Sequence, residues 1–219
     1  MSRFLIKPIA VACLAFGALQ AHAANVTDLG SFNGGVAATF TLTAGNSSTN
    51  GGTTAGGFRT SLDGGTTSFE TYCVDLYQFL GSANDYTLVS GAAHYTGTHA
   101  AANAAIGKLY SFHNQVTNAN AEAAFQLAVW EISYETSGTY SLSAGTAQFN
   151  STAAVNALAT SWLTNLPAVS SFNVSVLESE SKQDLVFATA AVPEPSTYAL
   201  MAAGLLGVGF VARRRAPKR

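Results

Sequence analysis

The two ends of the 219-residue chain confine the folded part to its middle. Near the amino terminus, Arg3 and Lys7 precede a short apolar run at residues 9–19, and Ala21-His22-Ala23 follows as a small-x-small cleavage site. This order of basic, apolar and small-residue segments is typical of a secretory signal peptide. The pattern predicts an exported protein whose mature chain starts at Ala24.

The carboxyl terminus carries three segments in order. Val192-Pro193-Glu194-Pro195-Ser196 comes first, residues 197–212 follow without a charge, and Arg213-Arg214-Arg215 begin a basic end. An apolar segment followed by arginines stops translocation and leaves the basic end in the cytoplasm. Because a stable span needs about twenty apolar residues, this shorter segment predicts a temporary transmembrane helix.

The charge of the part between the ends excludes one class of partner. Residues 24–190 contain three basic and eleven acidic side chains, a net charge of −8, whereas the whole chain has −2. An acidic surface repels phosphates, so nucleic acid is excluded. The length of this part fits one domain, and the chain's apolar fraction of 48% provides enough material for a core.

The middle of the chain changes from strand-like to helical patterns and back. Strands are predicted at residues 32–42, 58–62, 67–76, 171–177 and 184–190, with a hairpin turn at Asp63-Gly64-Gly65. Helices are predicted at residues 100–113, 121–134 and 153–166. The Gly-, Ser-, Thr- and Asn-rich stretch 46–57 is typical of a long flexible loop. This order predicts an α+β fold, a β-sandwich or barrel with a helical insertion.

Cys73 is the one cysteine that remains once the leader, which contains Cys13, is removed. A lone thiol in an exported protein has no disulfide partner within its chain. Strand alternation puts Tyr72 and Val74 on the apolar face, so we expect Cys73 and Asp75 on the opposite face, beside polar neighbours. This position argues against a cysteine that only fills the core.

Gln126 is the residue that could react with this thiol. It lies in the apolar segment Phe125-Gln126-Leu127-Ala128-Val129-Trp130 and, on a helix, shares a face with Trp130. A buried amide has to find hydrogen-bond partners or be consumed chemically. A thiolate that attacked the carboxamide would expel ammonia and form an internal thioester, provided that the protein aligned the two groups.

Two motifs in this part resemble those of the bacterial thioester domain. Tyr72-Cys73-Val74-Asp75 is similar to its cysteine motif, and Gln126-Leu127-Ala128-Val129-Trp130 is similar to its Thr-Gln-x-Ala-Ile-Trp motif, with Phe125 in place of the threonine. The resemblance extends over about residues 25–190 and includes Gln183-Asp184-Leu185. It implies a thioester between Cys73 and Gln126 that is consumed once, rather than enzymatic turnover.

The resemblance also implies what surrounds the bond and what attacks it. A lysine amine or a hydroxyl, on a matrix polymer or a surface protein, would become joined to Gln126 and free Cys73. Tyr72 and Trp130 are candidates for excluding water. Asp75 or a histidine would handle protons, and the sequence does not choose among His94, His99 and His113.

The tail resembles the PEP-CTERM sorting signal of Gram-negative bacteria. The resemblance implies an exosortase partner that recognises Pro193-Glu194-Pro195, an inner-membrane intermediate, and release to the cell surface or an exopolysaccharide matrix. The chain then divides into a signal peptide (1–23), an ectodomain (24–190) and a sorting tail (191–219). A plain tail anchor is the alternative.

Two other functions remain open for the ectodomain. One is a non-covalent structural or carbohydrate-binding matrix protein in which Cys73 is inert and tyrosines such as Tyr86, Tyr95 and Tyr140 stack on sugars. The other is a cysteine hydrolase, which is disfavoured because nothing near Cys73 resembles a protease signature. No metal or cofactor is expected in any of these.

Overall fold

The computed structural model describes residues 22–191, 200–206 and 208. Nine strands occur within these residues: β1 (His22–Ser31), β2 (Val36–Ala44), β3 (Ser47–Ala55), β4 (Phe58–Leu62), β5 (Ser68–Cys73), β6 (Ala83–Ser90), β7 (Ala147–Asn150), β8 (Phe172–Glu178) and β9 (Leu185–Ala190). The α-helices there are α1 (Gly91–His94), α2 (Ala100–Leu109), α3 (Ala119–Tyr134) and α4 (Ala153–Thr164). Two 3-10 turns, Gly97–His99 and Tyr110–Gln115, flank α2.

Six strands close into an antiparallel barrel in the order β1-β4-β5-β9-β8-β6. The turn between β4 and β5 is the predicted hairpin, in which Asp63 and Gly64 have φ angles of 53° and 69°. Tight hairpin turns require such left-handed conformations. Helices α1 to α4 lie between β6 and β8 in the chain, so the predicted mixed fold is confirmed, and of the two predicted β architectures the structure has a barrel.

The other three strands form a separate sheet in the order β3-β2-β7. The prediction of a flexible loop at residues 46–57 is wrong, because β3 pairs continuously with β2 from Val36↔Ala55 to Ala44↔Ser47. Its polar residues fit a largely exposed strand. Gly51 lies where a Cβ would collide with the ring of Phe40, its cross-strand partner, so this glycine makes room for a core side chain.

α3 joins the barrel to the small sheet. It contacts β5 of the barrel, all three strands of the small sheet, α2 and α4, and twelve of its sixteen residues are buried. Asn118 caps its first turn, where the side-chain oxygen accepts from the N–H groups of Asn120 and Ala121. The predicted helix at 121–134 is confirmed and begins two residues earlier.

The predicted end segments fall largely outside the described residues. β1 begins at His22, and its first two residues pair with Leu88 and Thr87 of β6, so cleavage after Ala23 would shorten this strand. The sorting residues 193–195 and the arginines 213–215 lie outside the described ranges. The chain is helical at 200–206, and in the ranges the structure describes no helix is long and apolar enough to cross a membrane.

Candidate reactive site

Cys73 is the last residue of β5, where both faces of the strand are covered. Tyr72 packs against Phe125 of α3 with ring centroids 4.6 Å apart, and the Cys73 side chain points to the opposite side of the strand. The expected separation of Cys73 from the apolar face of Tyr72 is therefore correct. The expectation that this position argues against a buried cysteine is not, because the closed barrel covers the other face and leaves Cys73 only 2% exposed.

Gln126 binds the backbone of Cys73 at two points. The Cys73 N–H donates to Gln126 Oε1 over 2.9 Å, and Gln126 Nε2 donates to the Cys73 carbonyl over 2.7 Å. The pairing of β4 with β5 ends at Phe58↔Thr71, so the ladder offers Cys73 no partner residue on this side. The fully buried carboxamide of Gln126 takes the place of a neighbouring strand. We call this pair of hydrogen bonds the backbone clamp.

The thiol of Cys73 meets a different glutamine. Its Sγ donates to Gln183 Oε1 over 2.7 Å. Gln183 is held by its own contacts: Nε2 donates to the Asp75 carbonyl over 2.7 Å, and the Gln183 carbonyl accepts from the Tyr86 hydroxyl over 2.8 Å. The carboxamide that faces the sulfur is therefore fixed in orientation.

These distances put the sulfur near a carbonyl carbon. Since a C=O bond is about 1.23 Å long, Sγ of Cys73 lies at most about 3.9 Å from Cδ of Gln183. Reacting atoms in near-attack arrangements are about 3–3.5 Å apart. Burial raises the pKa of the Cys73 thiol well above its usual range, and the Asp28 and Asp75 carboxylates raise it further. The resting group is thus a neutral thiol whose proton points at the amide oxygen.

The aromatic residues expected around the bond make their ring contacts with other aromatic side chains. Phe125 packs against Tyr72 and Tyr110, and Trp130 stacks on Phe149 with centroids 5.9 Å apart. Because Cys73 occupies both polar ends of the Gln126 carboxamide, that amide is held without a hydroxyl at position 125.

The structure separates the three histidines. His113 Nε2 lies 3.1 Å from Glu70 Oε2 on the Tyr72 side of β5. His94 and His99 instead line a cavity of about 320 Å³ that also includes Asp75 and Asp184. His94 pairs with Glu178, Nδ1 to Oε1, over 2.6 Å, whereas Nδ1 of His99 is buried and has no hydrogen-bond partner in the described ranges of the chain.

This cavity is lined by the chain neighbours of the reactive pair, whereas Cys73 and Gln183 themselves are not among its lining residues. Val74 and Asp75 follow Cys73 directly, and Asp184 follows Gln183, and all three line the cavity. The carboxylate of Asp75 accepts from the N–H of Tyr77 over 2.7 Å. Burial raises the pKa of Asp184. In the part of the chain that the structure describes, no group of three or more His, Cys, Asp or Glu could hold a metal ion.

Sequence reasoning assigned Gln183 no role. Its position just before the apolar start of β9 was the available signal, but only the sheet register pairs Leu185 with Cys73 and so brings Gln183 to the sulfur. Of the three tyrosines considered for sugar stacking, Tyr140 is half-buried and the other two are buried. Tyr86 and Tyr95 are 0% and 5% exposed, so neither presents a face to a ligand.

Comparison with protein families finds a match in the tail. Residues 191–215 match the PEP-CTERM protein-sorting motif. The chain therefore carries the signal of an exported protein that an exosortase processes during membrane transit to the cell surface. Comparison with curated proteins and with solved structures finds no match.

Proposed function

We propose that the ectodomain forms an internal thioester at Cys73 and uses it once to attach this exosortase-sorted protein covalently to a partner. The contact between Sγ of Cys73 and Oε1 of Gln183, 2.7 Å long in a buried site, is the observation that carries the proposal. The lone exported thiol and the motif resemblance around Tyr72-Cys73-Val74-Asp75 support it further.

The geometry favours Gln183 over Gln126 as the acyl partner. The oxygen and nitrogen of Gln126 both bind the Cys73 backbone, so loss of its nitrogen as ammonia would break the backbone clamp. Gln183 Oε1 is instead bonded by the thiol itself. Gln126 then has the role of a positioning residue, which holds the end of β5 while the sulfur faces Gln183.

The bond changes balance without any further reactant. The Cys73 sulfur bonds to Cδ of Gln183, the C–N bond of the carboxamide breaks, and the thiol proton leaves with the nitrogen as ammonia. Amides are poor electrophiles, and alignment supplies the missing rate, since effective molarities in well-oriented systems reach about 10⁵ M or more. The buried site also keeps water from the thioester.

The cavity beside the pair suits an amine nucleophile. Its Asp75 and Asp184 carboxylates would attract an ammonium group, and the imidazoles of His94 and His99 could accept the proton that an amine must lose before it attacks. Attack at Cδ of Gln183 forms an amide, breaks the C–S bond and frees Cys73. The site is spent, so this is not turnover.

The sorting signal gives the reaction a place. A transient membrane anchor and an exosortase would deliver the ectodomain to the outer surface or matrix of a Gram-negative cell. A matrix polymer or a surface protein there would provide the nucleophile. In a strain without exosortase, we expect the unprocessed precursor to stay in the inner membrane, and unchanged surface display would contradict the sorting step.

Intact mass and methylamine labelling test the thioester. We expect the protein purified from exporting cells to be one ammonia lighter than its sequence and to take up methylamine, with the label mapped by peptide sequencing to Gln183. Cys73→Ala and Gln183→Ala should abolish both properties. A label on Gln126 would exclude Gln183, and a full mass with a titratable thiol would exclude the thioester.

A second candidate function has one observation in its favour. A cavity of about 460 Å³ on the small sheet has no charged lining residue: its walls include Thr39, Thr41, Gln148, Asn150 and Asn156. Hydroxyls and amides of this kind suit a neutral carbohydrate. Two results together would favour this non-covalent function: a parent protein whose mass equals that of its sequence, and saccharide binding that is unchanged in Cys73→Ala.

A further inference from the structure

A second buried polar cluster lies one helical turn before Gln126. Glu122 of α3 is fully buried and precedes Gln126 by four residues, so the two share a helix face. Glu122 Oε1 accepts from Asn33 Nδ2 over 2.6 Å, and its Oε2 lies 3.0 Å from the Tyr72 hydroxyl oxygen. The same hydroxyl oxygen lies 2.6 Å from Glu70 Oε1.

The number of hydrogens available in this cluster favours one neutral carboxyl group. A phenol has a single hydrogen, and the shorter contact assigns it to Glu70. The contact between Tyr72 and Glu122 then needs a hydrogen on Glu122. Burial, together with the Glu70 carboxylate, raises the pKa of Glu122 to about 8. Burial opposes ionisation of Glu70 as well, but hydrogen bonds led by that from His113 outweigh it and lower its pKa.

Across the residues that the structure describes, no cationic side chain pairs with Glu122. His113, from the 3-10 turn after α2, pairs with Glu70, and the Tyr110 ring packs against the ring of Tyr72 with centroids 6.5 Å apart. Arg59 of β4 places its guanidinium over the Phe32 ring, 5.3 Å from the centroid.

The cluster has no spare room on the β4 side. A Cβ added to Gly57 would collide with both carboxyl groups, so the pair cannot separate in that direction. Two negative charges held this close would repel strongly. Movement of α3 away from β5 would relieve the repulsion.

We propose that Glu122 is a positioning residue: as a neutral acid it fastens α3 to β5 through Tyr72 and Glu70, and this keeps Gln126 clamped on the backbone of Cys73. Tyr72 and Cys73 are adjacent on β5, and Glu122 and Gln126 are adjacent on one helix face. The proton on Glu122 therefore helps to hold α3 and β5, the two elements that the backbone clamp joins, next to each other. The effect on acyl transfer rests on the proposed thioester, but the effect on the clamp does not.

Hydrogen exchange at residue 73 tests this directly, because that N–H is bonded to Gln126 Oε1. The exchange is measured by NMR on the full chain carrying Cys73→Ala, in mild detergent, and corrected for intrinsic exchange. This background keeps the N–H and can form no thioester, so the result is independent of the proposed function. We expect protection to fall about tenfold or more between about pH 7 and 9.

Substitutions in the same background assign the effect. Glu122→Gln keeps a neutral group of the same shape, so protection at residue 73 should stay high across this range. Glu70→Gln should also flatten the pH profile. In this variant Glu122 is the one carboxyl left beside Tyr72, so it can ionise and accept the Tyr72 hydroxyl hydrogen without repulsion from a second carboxylate. Glu131→Gln is the matched control, a buried acid of the same helix whose pKa is also raised to about 8, and here the fall should persist.

Two outcomes would overturn the proposal. One is protection that does not change with pH in the Cys73→Ala background. The other is a Glu122→Gln profile that falls in parallel with that of Glu131→Gln. If Glu122→Gln does not fold, the Glu70→Gln profile decides in the same way, since a fall that persists there contradicts repulsion between the two carboxyls.

Discussion

The two ends of α3 bury carboxyl groups with different partners. At the amino-terminal end, Glu122 meets side chains of β5, the strand that carries Cys73. At the carboxyl-terminal end, Glu131 and Glu135 face the loop before β7. Glu131 Oε1 accepts from the N–H of Ser141 over 2.7 Å, and its Oε2 has no partner among the described residues.

Glu135 shows how backbone N–H donors change the pKa of a buried carboxyl group. Its carboxylate accepts from the N–H groups of Thr136, Ser137 and Thr146 at 2.8–2.9 Å. Burial opposes its ionisation, but the N–H groups of Ser137 and Thr146 outweigh burial and lower its pKa. Burial raises the pKa of Glu131, with its single N–H donor, to about 8. The number of donors, rather than burial alone, decides which of these acids is charged.

The acids at the two ends of α3 are therefore expected to have different roles. The carboxyl-terminal acids organise loop backbone, and their effects should be confined to stability. The amino-terminal end joins α3 to the reactive strand, so changes there should also alter the reactive pair. Four predictions test this division.

The largest loss of stability is expected for Gln126→Ala. It leaves the N–H and carbonyl of Cys73 buried without partners and opens a void, which should lower the free energy of unfolding by about 4 kcal/mol. Denaturant titration measures the loss. The exposed Asn114→Ala is the control and should change stability by no more than about 0.5 kcal/mol. Equal losses in the two variants would show that the backbone clamp contributes little.

Glu135→Ala should rank next. It removes the acceptor of four backbone N–H groups, three of them at 2.8–2.9 Å, at an expected cost of about 3 kcal/mol by denaturant titration. Glu135→Gln keeps one acceptor oxygen and should lose clearly less. Methylamine uptake should be unchanged in both variants. A drop in uptake would show that this end of α3 also positions the site.

Glu131→Gln should flatten the dependence of stability on pH. The folded-state pKa of about 8 exceeds the ordinary glutamate value of 4.5, so this group's contribution is fully present below about pH 4.5 and is lost as pH rises through 8. Between about pH 5.5 and 7.5, the stability of the variant should fall by about 2 kcal/mol less than that of the parent. Parallel profiles from denaturation at several pH values would contradict a neutral Glu131.

The smallest effect is expected for Asn118→Ala at the cap of α3. Loss of the two hydrogen bonds from Asn120 and Ala121 should cost about 1 kcal/mol by thermal or denaturant unfolding. Thr152→Ala removes the single, longer bond, 3.4 Å, that caps α4, and should cost less. The reverse order would show that tertiary contacts, rather than the cap, hold the start of α3.

Local sequence patterns correctly predicted those elements that form without long-range pairing partners being known. The Asp63-Gly64 turn, the strands beside it and the Asn118-capped helix all follow from conformational preference and periodicity. β3 was mistaken for a loop because its Ser, Thr, Asn and Gly residues carry no apolar alternation. Its pairing with β2 along nine residues stabilises it, and that pairing lies outside the information in a local window.

For the site, the sequence singled out Cys73 and Gln126 correctly as neighbours, and strand alternation correctly put Tyr72 and Cys73 on opposite faces. It did not reveal which atoms meet. Gln126 contacts the backbone of Cys73, and the thiol contacts Gln183, more than a hundred residues away in the chain. That choice depends on the pairing of β9 with β5, whose register decides whether Gln183 lies beside the sulfur.

Export, sorting and the lone thiol can be read from the chain because they depend on short contiguous segments and on a count of cysteines. The hydrogen-bond partners of Cys73 cannot, because each of those bonds joins residues from separate parts of the chain. The closed barrel buries Cys73. Because β4 starts at Phe58, its pairing with β5 ends before Cys73, and the backbone of Cys73 is free to bind Gln126. The register of β5 with β9 brings Gln183 to the sulfur of Cys73. Only tertiary packing brings those groups within bonding distance.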